Sequence, residues 1–218
     1  MNNLKTMLCT LVAIFGFTTV SNAASLNGVY LEASSSAVGV ELDGSHTDAG
    51  ADGHTVKGAV GKTAVTASYG LGYMTSRDNK LGLDVSYMWT PGEAKLTTSS
   101  NANSANTVTF ELSDTEEYSI SPMINITPDA SLYLRFGWTD SDLTVTGDVT
   151  KPTSMDGSTT AIGTVMSWGS NLYIRTEAGM TDYDNVTATG LGTTIATTES
   201  AKADPVVHFG KIAIGYKF

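Results

Sequence analysis

An all-β chain, folded as an eight-stranded antiparallel up-and-down barrel that crosses a membrane, is the fold class this sequence predicts, and three observations predict it. Apolar and polar residues alternate with a period of two through eight separate segments. Short turns and long polar stretches alternate in joining them, as in a meander whose two ends face different compartments. The last stretch, "VHFGKIAIGYKF", is one more such segment and stops on Phe218. A helix would scatter Ile212, Ile214 and Tyr216 around its circumference; only an extended strand puts them on one side, with Lys211, Ala213 and Lys217 on the other.

Ahead of these segments lies "MNNLKTMLCTLVAIFGFTTVSNAAS": Lys5, an apolar run from Met7 to Phe17, then small residues at Ser21 and Ala23. This is the layout of a secretory signal peptide, and the run is too short to span a bilayer as a helix. Residues 1–23 are expected to be removed, leaving 24–218 as one barrel domain. The single cysteine, Cys9, goes with the leader, so neither a disulfide nor a cysteine metal site is expected. Twelve Lys and Arg against 22 Asp and Glu give a net charge of −10. Losing Lys5 makes the exported chain still more acidic, and such a chain repels phosphate backbones, so nucleic acid is not an expected partner.

Segment one, Gly28 to Val38, turns Val29, Leu31 and Ala33 one way and Tyr30 and Glu32 the other. A polar loop is predicted from there to about Lys57. Segment two, Ala59 to Met74, sets Val65, Ala67, Tyr69, Leu71 and Tyr73 against Lys62, Thr66 and Ser68. The tight turn "TSRDNK" leads to segment three, where Leu81, Leu83, Val85, Tyr87 and Trp89 oppose Asp84 and Ser86. After a long connection from Pro91 to about Thr107, segment four, Glu111 to Ile126, opposes Tyr118, Ile120 and Ile124 to Glu117, Ser119 and Ser121. "TPDAS" then turns the chain into segment five, where Leu132, Leu134, Phe136 and Trp138 face away from Tyr133 and Arg135. Segment six, Thr159 to Trp168, patterns weakly: Ile162, Met166 and Trp168 share their row with Thr164, and Val165 lies opposite. Segment seven, Leu172 to Tyr183, puts Leu172, Ile174 and Met180 opposite Tyr173, Arg175 and Glu177, and a last long loop, about Asp184 to Pro205, precedes segment eight.

The polar rows together carry Glu32, Asp84, Glu117 and Glu177 with Lys62, Arg135, Arg175 and Lys211, four acids and four bases. A Lys or Arg facing lipid near the midplane costs about 2 to 4 kcal/mol, and four would cancel most of a net stability of about 5 to 15 kcal/mol. The charged row must be enclosed. A soluble sandwich or lipocalin would invert the faces, and period alone does not choose between the two. Aromatics near strand ends (Tyr73, Trp89, Trp138, Trp168, Tyr216, Phe218), the export leader and the absence of free edges in a closed barrel favour lipid outside.

With the strand "GVYLEAS", the hairpin "YGLGYMTSRDNKLGLDVSYMW" and the ending "IAIGYKF", residues 25 to 218 resemble the eight-stranded outer-membrane β-barrel family, the opacity-type and outer-membrane-protein-A-type transmembrane barrels. The resemblance implies a bacterial outer-membrane location, short turns in the periplasm and loops outside. It implies that Ile212, Ile214, Tyr216 and Phe218 form the signal read by the barrel assembly machinery. It also implies a lumen filled by a salt-bridge network of the eight charged residues. Expected partners are outer-membrane lipid, lipopolysaccharide and that machinery, with loop ligands and oligomeric state left open.

The expected role is structural or surface-interacting. The rival is a narrow porin, gated when Arg135 or Arg175 exchanges acidic partners, and a third reading is a lipid A-modifying enzyme. Enzymatic hydrolysis or acyl transfer would need a His with a Ser and an acid in fixed geometry. His46, His54 and His208 sit in no nucleophile motif, so no catalytic residue and no cofactor are expected. "DAGADGH", Asp48 to His54, faintly resembles the start of a calcium loop, but Ala59 stands where the bidentate Glu belongs.

Overall fold

A computed structural model describes residues 26–47, 55–77, 80–99, 107–191 and 200–218. Its strands are β1 (Gly28–Thr47), β2 (Thr55–Arg77), β3 (Leu81–Ser99), β4 (Thr107–Thr127), β5 (Ala130–Thr146), β6 (Ser154–Trp168), β7 (Leu172–Tyr183), β8 (Val186–Thr189) and β9 (Ser200–Lys217). Each barrel strand pairs antiparallel with the next, and β1 pairs with β9, which closes the sheet on itself. The barrel proper is eight-stranded. Short β8 continues the line of β7 along β9, beyond a break at Asp184 and Asn185.

Closure is tied at the chain's end: Phe218 N–H donates to Val29 O at 2.9 Å, and Asn171 Nδ2 donates to Lys217 O at 2.8 Å. Turns at this end are tight, with only Pro128 and Asp129 between β4 and β5. The opposite end differs from the sequence expectation. Much of the predicted loops, 39–57, 91–107 and 184–205, is strand: β1 pairs with β2 as far as Thr47↔Thr55, and β3 with β4 as far as Ser99↔Thr107. Thr and Val suit extended backbone, and beyond the lipid the outward side chains turn polar while buried apolar ones such as Val40, Leu112 and Leu143 lie inward, so the ladders persist where the lipid-facing pattern stops.

Faces are sorted as charge in and grease out. Arg135 and Arg175 are 0% and 1% exposed, whereas Val65 is 77%, Ile162 50% and Phe218 69% exposed. The strict alternation of buried and exposed residues along β5 shows that the pleat alone does this sorting. In β6, where the sequence pattern is weakest, Ile162, Met166 and Trp168 lie outward and Val165 is fully buried.

The interior is layered. Near the tight turns, Leu26, Tyr30, Met74, Met123, Tyr133, Val165 and Tyr173 pack together. The ionic residues adjoin them. Hydroxyl pairs follow, including Thr139···Thr159 at 3.0 Å and Thr159···Thr181 at 2.8 Å. At the far end an apolar cluster, Leu112, Leu143, Val145, Val149, Met155 and Val186, packs inside the hairpins.

Candidate functional site: an ionic tier across the lumen

Each charged side chain of the tier occupies an inward position on its strand, and barrel curvature points them at one another. Arg175 on β7 places Nε 3.1 Å from Glu32 Oε2 of β1 and Nη2 2.8 Å from Asp84 Oδ2 of β3. Arg135 on β5 places Nη1 3.1 Å from Glu117 Oε1 of β4 and Nε 2.9 Å from Glu177 Oε2 of β7. Lys211 Nζ on β9 reaches Glu177 Oε1 at 2.7 Å. Glu177 thus joins two cations. Both arginine Nε contacts are short yet lack hydrogen-bond alignment, so the attraction there is chiefly Coulombic.

Seven of the eight charged residues named from the sequence therefore meet inside the barrel. Lys62 lies on β2 with its backbone paired to Val40, and its side chain lies outside the described residues. The sequence reading set Tyr30, Tyr133 and Tyr173 on the polar face but left them out of the network. Tyr30 donates to Asp84 Oδ1 at 2.8 Å, Tyr133 to Glu177 Oε2 at 2.7 Å and Tyr173 to Glu32 Oε2 at 2.9 Å. Their rings surround the Arg175 guanidinium at 5.4, 5.1 and 5.8 Å, a cation enclosed by π faces.

Each ring also lies across a glycine of the neighbouring strand: Tyr30 over Gly72, Tyr133 over Gly163, Tyr173 over Gly215. A Cβ at any of these glycines would collide with the ring, so the absent side chain is what lets the phenol lie flat and reach its acid. An inward Tyr beside an inward Gly of the next segment was the available signal; it needs the register, which one strand does not reveal.

The terminal residues Ile212, Ile214, Tyr216 and Phe218 form an outward row, 57%, 56%, 47% and 69% exposed. The Tyr216 and Phe218 rings meet edge to face at 5.2 Å. Among the histidines, His208 lies on the outer face 3.9 Å from Glu41, both well exposed. The His46 side chain, His54 and the Asp48–His54 stretch lie outside the described residues. No group of three or more His, Cys, Asp or Glu among the described residues is placed to hold a metal ion.

A family model for the outer membrane protein beta-barrel domain matches residues 9–198. No curated protein matches the sequence. Among solved structures, the outer membrane protein OprG from Pseudomonas aeruginosa superposes with a TM-score of 0.52 at 13% identity, covering 90% of this chain and 99% of that one. Ail, the attachment invasion locus protein of Yersinia pestis, matches with 0.43 at 13% identity over 85% and 99%. Neisserial surface protein A gives 0.42 at 16% over 90% and 100%. OprG carries the fold argument. With charge enclosed, apolar side chains outward and the sheet closed, the chain belongs to the outer membrane protein β-barrel domain family and lies in the bacterial outer membrane.

Proposed function

We propose that the protein is a stoppered barrel: a structural or surface-interacting component of the outer membrane whose lumen is closed to solutes by its ionic tier. The observation that carries this reading is the mutual engagement of Arg135, Arg175 and Lys211 with Glu32, Asp84, Glu117 and Glu177 across the lumen, at 2.7 to 3.1 Å. The interior of an eight-stranded barrel is narrow enough for side chains to close it at such a tier. Planar-bilayer recording tests it: the wild type is expected to show no steady conductance. Steady current that changes when Glu177 is replaced by Gln would instead make the protein a narrow porin. Its contacts with the outside world then fall to the extended hairpins, set in outer-membrane lipid and lipopolysaccharide. The enzyme reading has no assembled catalytic group to support it among the described residues.

Two further assignments belong to this reading. Residues 1–23 act as the export leader, and protein taken from outer membranes is expected to have an intact mass beginning at Ala24. Ile212, Ile214, Tyr216 and Phe218 act as the assembly signal; their outward row on the strand that closes the barrel supports this. Deleting Phe218 is expected to lower the amount of heat-modifiable, membrane-inserted protein in cells, while the purified variant still refolds into detergent. Undiminished insertion in cells would remove the assignment.

A further inference from the structure

Seven of the eight strand pairs in this barrel run along most of the length of the shorter partner; β2 and β3 do not. Their ladder begins at Arg77↔Leu81 and ends at Tyr69↔Trp89. Beyond that rung β2 continues to Thr55 paired with β1, and β3 continues to Ser99 paired with β4. Among the described residues the two strands share no further backbone pairing. The cause is local. Pro91 has no N–H to give β2, Gly92 has φ 123°, and the β3–β4 register shifts between Thr90 and Glu93, so β3 turns toward β4.

At the foot of the gap the Ser68 and Thr90 hydroxyls meet at 2.7 Å, tying the strands one residue past the last rung. On the outer face of that rung Tyr69 and Trp89 lie with ring centroids 6.3 Å apart. Such aromatics favour the headgroup level, so the gap opens where the outer leaflet meets water. An unpaired edge is unaffordable deeper in hydrocarbon.

Behind the gap lies a half-open cavity of about 150 Å³ whose exposed lining is mostly apolar, from Val38, Val40, Met88, Pro91, Leu112 and Phe209, interspersed with serine and threonine hydroxyls. Enclosed apolar cavities of about this volume take up benzene, and the apolar wall of this one offers comparable contacts. Its floor belongs to the ionic tier, where Lys211 is bound to Glu177 and Glu117 to Arg135. These charges are already matched, which disfavours an ionic ligand. The floor also blocks movement toward the tight-turn end.

We propose that this cavity binds an uncharged apolar molecule about the size of one benzene ring, which exchanges sideways with the outer leaflet through the gap between β2 and β3. It is independent of what the outer hairpins contact.

Benzene is the probe, and the methionine methyl groups of the full barrel in lipid bicelles are the readout. Met88 lines the cavity, whereas Met166 is on the lipid face. The Met88 methyl resonance is expected to shift and saturate on titration, while Met166 drifts without saturating, as lipid partitioning requires. Thr66 lines the cavity on β2 above Ser68, and Thr66→Trp, checked for heat-modifiable migration, is expected to lose the Met88 shift. In a Ser68→Cys/Thr90→Cys pair, the hydroxyl separation brings the sulfurs within bonding reach. The oxidised pair is expected to slow benzene exchange at Met88, and reduction to restore it. No saturating shift at Met88, or a shift that survives Thr66→Trp, overturns the site. Equal exchange in oxidised and reduced forms overturns the sideways route.

Discussion

Replacing Arg175 by methionine is expected to destabilise the barrel by about 3 to 5 kcal/mol, the usual cost of removing one partner from a buried ion pair. The side chain is 1% exposed and is, among the described residues, the only cation placed against both Glu32 and Asp84, at 3.1 and 2.8 Å. Methionine keeps most of the volume, so the loss is electrostatic. Two carboxylates are left in a water-poor interior with, among the described residues, the Tyr173 and Tyr30 hydroxyls as their remaining donors. The measurement is the urea midpoint of protein refolded into phospholipid vesicles. Removing both acids as well, Glu32→Gln with Asp84→Asn, should recover much of the loss, because the penalty lies in unmatched charge rather than in the absent contacts. A single variant as stable as the wild type would show that water enters the tier freely, and the stopper would go with it.

Leu134→Arg is the second large effect, an expected loss of about 2 to 4 kcal/mol in the same vesicles. Leu134 stands between Leu132 and Trp138 on the outward row of β5, 47% exposed, near mid-depth of the apolar band. Arg135, one residue on, is fully buried and tolerated. The contrast tests the assignment of faces directly: adjacent positions, one side chain, opposite solvents. The cost should fall for Trp138→Arg, where the guanidinium can reach the headgroups. A Leu134→Arg barrel that unfolds at the wild-type midpoint would mean that this row does not meet acyl chains.

Glu32, Asp84, Glu117, Arg135, Arg175, Glu177 and Lys211 were all legible as inward residues because a strand's side chains alternate by covalent geometry, whatever surrounds it. Trp89 and Trp138 likewise announced themselves by chemistry and position. Their partners did not. Tyr173 donates to Glu32 across 141 residues of sequence, and which acid a given arginine meets follows from the relative shift of strands around a closed ring. The long outer hairpins were misread as loops for a related reason. Once a hairpin leaves lipid, its outward side chains turn polar and the apolar ones, such as Val40, Leu112 and Leu143, lie inward, so the pattern that marks the membrane span stops although the ladder goes on.

By itself the sequence determined eight strands with charge on one face and apolar side chains on the other, since that pattern is written in the segments, and the aromatics at strand ends and the export leader turned the apolar face to lipid. Only the closed structure decided the pairs within the tier, the tyrosines laid over glycines, and the place where β2 and β3 separate at Pro91. Those depend on register, and register is an agreement between distant segments that the barrel reaches only when β9 meets β1.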